Sequence, residues 1–163
     1  MNAKGSGFFT RHSWQILLGL VLVIGLFGVG DAILGIEADP AIPEAVTGMT
    51  PAEIETRSQP LATMIDLQVR SGGLHLILLA MLWAVILWIP FRQGERWAWY
   101  AMWTFPLWAL AVAVAFLFVD LQPDAGLPPP AISGWVFFVV TSLLLLISKR
   151  PIFASVGVSP SAS

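Results

Sequence analysis

Four apolar stretches, at about residues 14–34, 74–91, 97–119 and 131–148, dominate this 163-residue chain. Each comes near the roughly 17–25 residues that a helix needs to cross a hydrocarbon core about 30 Å thick. Composition agrees: 57% of residues are hydrophobic and only 11% are charged, and the mean hydropathy is +0.81, beyond what a soluble domain carries. The expectation is an all-α, four-transmembrane-helix bundle within one domain, residues 1–150. Four spans and one ordered loop consume nearly all of that length and leave no room for a separate soluble catalytic domain.

Charge fixes the orientation expected of the bundle. Lys4, Arg11, Arg92, Arg96, Lys149 and Arg150 flank one side of the spans, whereas Glu37, Asp39, Glu44, Glu53, Glu55, Asp66, Asp120 and Asp124 flank the other, with Asp31 just inside it. Lysine and arginine decide topology. Both termini are therefore expected in the cytoplasm and the acidic loops outside it, which for a bacterial chain means a multi-pass protein of the inner membrane. Lys4 and Arg11 before an apolar run also resemble the start of a signal peptide, but the run continues through Ile33 and Leu34 without a small-x-small cleavage site, so the first span is expected to be retained.

Several chemistries find no residues to carry them. The chain has no cysteine, which removes disulfides, thiolate metal sites and Cys-X-X-Cys redox chemistry. No basic cluster suggests nucleic acid, and no nucleophile elbow, phosphate-binding glycine loop, His-pair metal motif or paired intramembrane carboxylates is present. No catalytic residue, metal or particular cofactor is assigned.

The loop of about 35 residues between the first two spans is too long to lack structure in so small a protein. It is expected to form a helical cap over about 36–70. Pro40, Pro43 and Gly48 read as breakers of its first half. Thr50-Pro51-Ala52-Glu53 reads as a capping box with proline at the first helical position, opening a short helix to about Arg57. Ser58 and Pro60 then start a helix in which Leu61, Met64, Ile65 and Val69 recur at helical spacing into the second span. Continuous over 60–89, it would measure about 45 Å at 1.5 Å per residue, so its first turns should stand outside the hydrocarbon.

Between the second and third spans, Pro90 is expected to end one helix and Gly94 to permit a tight reversal over Arg92–Arg96. Pro106 should kink the third span by freeing the Met102 carbonyl. Gly25, Gly28 and Ala32 in the first span, and Ala109, Ala111, Ala113 and Ala115 in the third, allow close approach of neighbours. After Lys149-Arg150, the Ser/Ala/Gly-rich tail over 151–163 reads as disordered.

Eight tryptophans divide between two roles. Trp14, Trp88, Trp97 and Trp99 at one boundary and Trp135 at the other read as interfacial anchors. Trp83, Trp103 and Trp108 lie deeper; Trp99 and Trp103, four apart, share a helix face with Pro106, where a kink would open a pocket lined by indoles, packing or lipid contact being the other reading. A polar group is predicted at the acidic end: Asp31, Asp66, Arg70, His75 and Asp120 share one level. Asp66 and Arg70, four apart, lie on one helix face with the acid in the favourable N-terminal position. Asp31 lies about three residues inside the apolar boundary, where an unpaired carboxylate costs about 2–3 kcal/mol at the helix centre and less toward the edge. Its expected partner is Arg70 or His75. The readings of Asp31 are a structural clamp or a ligand or proton site; His75 reads as hydrogen-bonded, with a single axial ligand role as the alternative.

Arg92-Gln93-Gly94-Glu95-Arg96-Trp97-Ala98-Trp99-Tyr100 resembles the cytoplasmic turn of uncharacterised bacterial four-span integral membrane proteins, loosely DoxX-like, and Gly48–Ile54 through Ile65-Asp66 is similar to their outer loop helix. The resemblance, over roughly residues 28–148, implies chiefly the four-helix topology; its link to quinone-associated redox systems is a fold-level analogy. Two function classes follow, the first favoured because the chain offers much packing surface and little chemistry. One is a non-catalytic accessory or structural subunit packing with other membrane subunits in a larger assembly, with the lipid bilayer as its surroundings. The other is a binder or redox partner of a small hydrophobic ligand such as a quinone, lipid or pigment, using Trp103, Trp108 and the group Asp31, Arg70 and His75.

Overall fold

The computed structural model describes residues 4–124 and 126–154. Its helices are α1 (Lys4–Leu34), α2 (Ala41–Thr47), α3 (Pro51–Arg57), α4 (Gln59–Ile86), α5 (Arg96–Ala101), α6 (Thr104–Ala115) and α7 (Pro129–Ala154). Four segments are long and apolar enough to cross a membrane: His12–Glu37, Gln59–Phe91, Arg96–Phe118 and Pro129–Lys149. Only 22–33% of the apolar window in each is buried within the protein, so most of their apolar side chains, Leu22, Leu26, Leu78 and Leu143 among them, face outward. A chain that covers its helices so thinly satisfies them with lipid. This is a multi-pass membrane protein built as an all-helical bundle.

The bundle is two antiparallel hairpins. α1 packs chiefly on α4, and α6 on α7, with α1 against α7 as the main link between the pairs. Backbone approaches backbone where α1 crosses α4: a Cβ built on Gly73 would lie 2.6 Å from the Ala32 nitrogen and the Gly28 carbonyl oxygen, and one on Gly28 would lie 2.8 Å from the Gly73 oxygen. In the second pair, Gly134 rests on Ala109 and Ala113 in the same way. Ala109 and Ala113, four apart, are buried, whereas Ala111 and Ala115 on the other face are exposed.

The two pairs share a buried core toward the end carrying Arg92, Arg96 and Lys149, the basic end. There Leu17, Val21 and Ile24 of α1, Trp83 and Leu87 on α4 and its extension, Trp99, Met102 and Phe105 around the start of α6, and Leu144, Leu145 and Ile152 of α7 form one buried core. Trp99, expected among the anchoring rings, is buried and donates its Nε1–H to the Leu145 carbonyl at 2.8 Å, which also accepts from the Ser148 hydroxyl at 2.8 Å. An indole with an internal acceptor has no need of the headgroup region. Arg92 lies over the rings of both Trp14, at 5.4 Å, and Trp88, at 5.6 Å, so the turn is fastened to α1 by a guanidinium between two indoles.

Proline acts differently from expectation in three places. Pro90 does not end α4; it lies inside a π-helical turn, Leu87–Phe91, in which the Arg92 N–H reaches the Leu87 carbonyl at 3.2 Å. A wider turn tolerates a missing donor. Gly94, at φ +80°, makes the reversal. Pro106 does not free the Met102 carbonyl. The chain breaks upstream at Met102–Trp103, the Met102 oxygen accepts from the Phe105 N–H at 3.1 Å, and the Thr104 hydroxyl donates to the Ala101 oxygen at 2.7 Å. The break places Pro106 in the first turn of α6, where a backbone N–H has no helical acceptor in any case. Pro40 and Pro43 likewise begin α2 instead of excluding it, and Gly48, at φ +70°, closes it with its N–H on the Glu44 carbonyl at 2.8 Å.

The capping box forms: Thr50 N–H donates to Glu53 Oε2 at 2.8 Å and Glu53 N–H to Thr50 Oγ1 at 3.4 Å. The Thr50 N–H, and the Thr50 hydroxyl donating to the same Glu53 Oε2 at 2.9 Å, hold the Glu53 carboxyl below its usual range. The helix expected over 60–89 forms as α4, Gln59–Ile86, carried on by the π-helical turn Leu87–Phe91. α7 runs on through residues 151–154, and the remainder of the segment read as disordered, 155–163, lies outside the described residues.

Candidate functional site

Away from the core, at the acidic end, the hairpins part around a cavity of about 740 Å³. Ile24, Phe27 and Asp31 of α1 form one wall, Ile65, Val69, Gly72, His75 and Leu79 of α4 a second, and Trp108 and Val112 of α6 with Ser133 and Phe137 of α7 the third. α2 closes the top through Ile42, Pro43, Val46 and Thr47. Its position is fixed from both sides. The preceding link leaves α1 directly, and the linker between α6 and α7 docks on its C-terminal end, where the Gln122 N–H reaches the Ala45 carbonyl at 2.8 Å. Cavities of roughly 300–1,000 Å³ with apolar walls and a few polar groups are the usual form of small-molecule sites.

The corner between α1 and α4 is held by Arg70. Its Nε donates to Asp66 Oδ2 at 2.7 Å, and its Nη1 donates to the carbonyls of Ala32, at 3.1 Å, and Ile33, at 2.6 Å. These are carbonyls of the last turn of α1, which have no helical donor, so the guanidinium acts as a C-cap. Asp66 completes the arrangement by accepting the Ile36 N–H at 3.0 Å. The same turn places Gly35 at φ +61°, where a Cβ would run into the Asp66 carboxylate; only glycine fits.

Arg70 is therefore committed to Asp66 and the end of α1, not to Asp31. Neither Arg70 nor His75 hydrogen-bonds the Asp31 carboxylate, which lines the cavity half-buried. Asp39 lies in the same lining. Burial pushes the Asp39 carboxyl above its usual range against the opposing pull of the Ala41 N–H. His75 also lines the cavity. Among the described residues, no three His, Asp or Glu side chains gather as a metal site.

Comparison with protein-family models, curated proteins and solved structures returns no match. The site is thus described by its own geometry. Of the residues singled out in the sequence, it brings together Asp31, His75 and Trp108. Arg70 and Asp66 stand at its edge as the lock between α1 and α4. Trp103 points elsewhere, edge-on to Trp99 with centroids 5.8 Å apart, and Asp120 is exposed in the linker. Pro106 shapes the site indirectly, since the break before it positions Trp108, whose ring meets Trp83 at 5.7 Å. Sequence reasoning missed Asp39, Phe27, Ser133 and Phe137. Asp39 carried a signal in its closeness to Asp31, but its placement depends on α2 folding back over the bundle.

Proposed function

We propose that this membrane protein binds a small ligand with an apolar body, of the size of a lipid chain, quinone or pigment, in the cavity under α2. The observation that carries this reading is the cavity itself. A bundle whose sole task is packing gains by closing such a space, because unfilled volume forfeits about 24 cal/mol per Å³ in contacts. Here the elements around the space are fixed in place by specific contacts instead: the Arg70 lock between α1 and α4, the α2 roof and the Gln122 tether. The alternative, an accessory subunit of a larger assembly, draws on the exposed apolar faces, and these are equally the faces that four spans turn to lipid. The DoxX-like resemblance makes a quinone one candidate occupant.

Native mass spectrometry of the full chain, released gently from detergent, tests the reading. Wild-type protein is expected to carry a noncovalent apolar adduct that is lost in Val112→Trp, a substitution that fills the cavity from α6. A bare protein mass, or an adduct retained in Val112→Trp, counts against it.

The reading includes an orientation. The basic end faces the cytoplasm of a bacterial inner membrane, and the cavity opens at the opposite leaflet, as the distribution of lysine and arginine supports. A chain without native cysteine makes the check direct. A membrane-impermeant maleimide is expected to label Asp124→Cys on intact cells and Gly94→Cys only after lysis; the reverse pattern inverts the map.

A further inference from the structure

The charged side chains lining the cavity are of one sign. Two carboxylates line it, Asp31 from the last turn of α1 and Asp39 from the link into α2. No lysine or arginine is among the lining residues, and the neighbouring guanidinium, Arg70, has its donors on Asp66, Ala32 and Ile33. His75, from α4, is the remaining titratable group in the lining.

The position of Asp31 sharpens the point. It sits three residues before the C-terminus of α1, where the helix dipole disfavours an anion, and near the apolar boundary, where a carboxylate is costly. Arg70, the neighbouring cation, is committed elsewhere, and neither it nor His75 offsets that cost. A residue that breaks two local rules without structural compensation marks a place where something else is selected. Around it, Phe27, Trp108 and Phe137 present aromatic rings to the same space, and aromatic faces attract cations.

We propose that the cavity selects a lipophilic cation: a compact or chain-bearing apolar molecule with a fixed positive charge, its body among Phe27, Trp108 and Phe137 and its charge between Asp31 and Asp39. The assignment rests on the reading of the cavity as a ligand site and narrows it by charge. An anion meets two carboxylates and no cationic side chain in the lining. A neutral ligand offsets neither the shared negative sign of the lining nor the helix-end penalty on Asp31, whereas a cation offsets both.

Equilibrium dialysis with the full-length protein in a non-ionic detergent separates the cases, using tetraphenylphosphonium, its anionic counterpart tetraphenylborate, and uncharged decylubiquinone. Saturable binding of tetraphenylphosphonium in preference to tetraphenylborate is expected in the wild type. That binding should weaken by at least about tenfold in Asp31→Asn and in Asp39→Asn, and persist in Asp31→Glu and Asp39→Glu. Equal binding of the two tetraphenyl ions, or cation binding indifferent to both asparagine variants, overturns the assignment. Saturable binding of decylubiquinone without tetraphenylphosphonium also overturns it and leaves the ligand site standing. Binding of none of the three, together with a bare native mass, removes the site and the assignment together. The wild-type comparison of the two ions needs no variant, so it decides even if an asparagine variant fails to fold.

Discussion

Gly73→Ala is expected to destabilise the protein by about 1–3 kcal/mol, the cost of overpacking a closed interface, and Gly73→Leu by more. A Cβ at this position would lie 2.6 Å from the Ala32 nitrogen and the Gly28 oxygen and 2.7 Å from the Asp31 Cβ. Two of those atoms are backbone, so relief requires the helices themselves to separate. The neighbouring residue supplies the control. A Cβ on Gly72 meets nothing within 4 Å, and within a helix alanine is favoured over glycine by roughly 0.5–1 kcal/mol, so Gly72→Ala should be neutral or stabilising. Reversible unfolding in mixed micelles measures both. Equal effects at positions 72 and 73 would show that the close crossing of α1 and α4 is not a determinant of the fold.

Trp83→Ala is expected to cost about 3–5 kcal/mol, as large aromatic truncations in closed cores do. Trp83 is 2% exposed. Its ring stacks on Phe105 at 4.6 Å, and its Nε1–H donates to the Thr104 hydroxyl at 3.0 Å. It thereby joins α4 to the start of α6 at the level where the core gives way to the cavity. The loss arises from packing more than from the hydrophobic effect, because lipid offers an apolar surrounding to either state. Trp83→Phe separates the two contributions. It keeps most of the ring and removes the hydrogen bond, a loss of about 1 kcal/mol, while Thr104 still bonds the Ala101 carbonyl. A Trp83→Ala variant as stable as wild type would mean that the ring does not tie the two hairpins together.

The spans, the capping box at Thr50 and the continuous helix into the second span were legible because they depend on local pattern: apolar length, a hydroxyl three residues before a carboxylate, helical recurrence. The glycine contacts of the first span could be read for the same reason, as small residues at helical spacing. Proline misled the reading because its effect depends on where the chain breaks. Each of Pro43, Pro90 and Pro106 was assigned by its missing donor, and in each case the structure puts that donor where none is required or widens the turn around it. Asp31 and Arg70 illustrate the other limit. Both were placed at the correct end of the bundle, but the pairing turned on the three-residue turn after α1, which brings Asp66 and the carbonyls of Ala32 and Ile33 to the guanidinium first. The cavity was legible only in part, through Asp31, His75 and Trp108, because its roof is a helix that the prolines concealed.

The confinement of the core to the basic end gives the molecule the mechanics of a clothes-peg. The two hairpins share their interlocking side chains at one extremity and are linked at the other by a strap, α2, that hangs from the first hairpin and is fastened to the second through the Gln122–Ala45 bond. Spreading at the strapped extremity sacrifices little of the jigsaw that fixes the fold. On the proposal that the cavity holds a ligand, jaws hinged in this way would accommodate guests of different girth while the spring remains intact, and the residues that meet a guest would be freer to vary than those that hold the peg together.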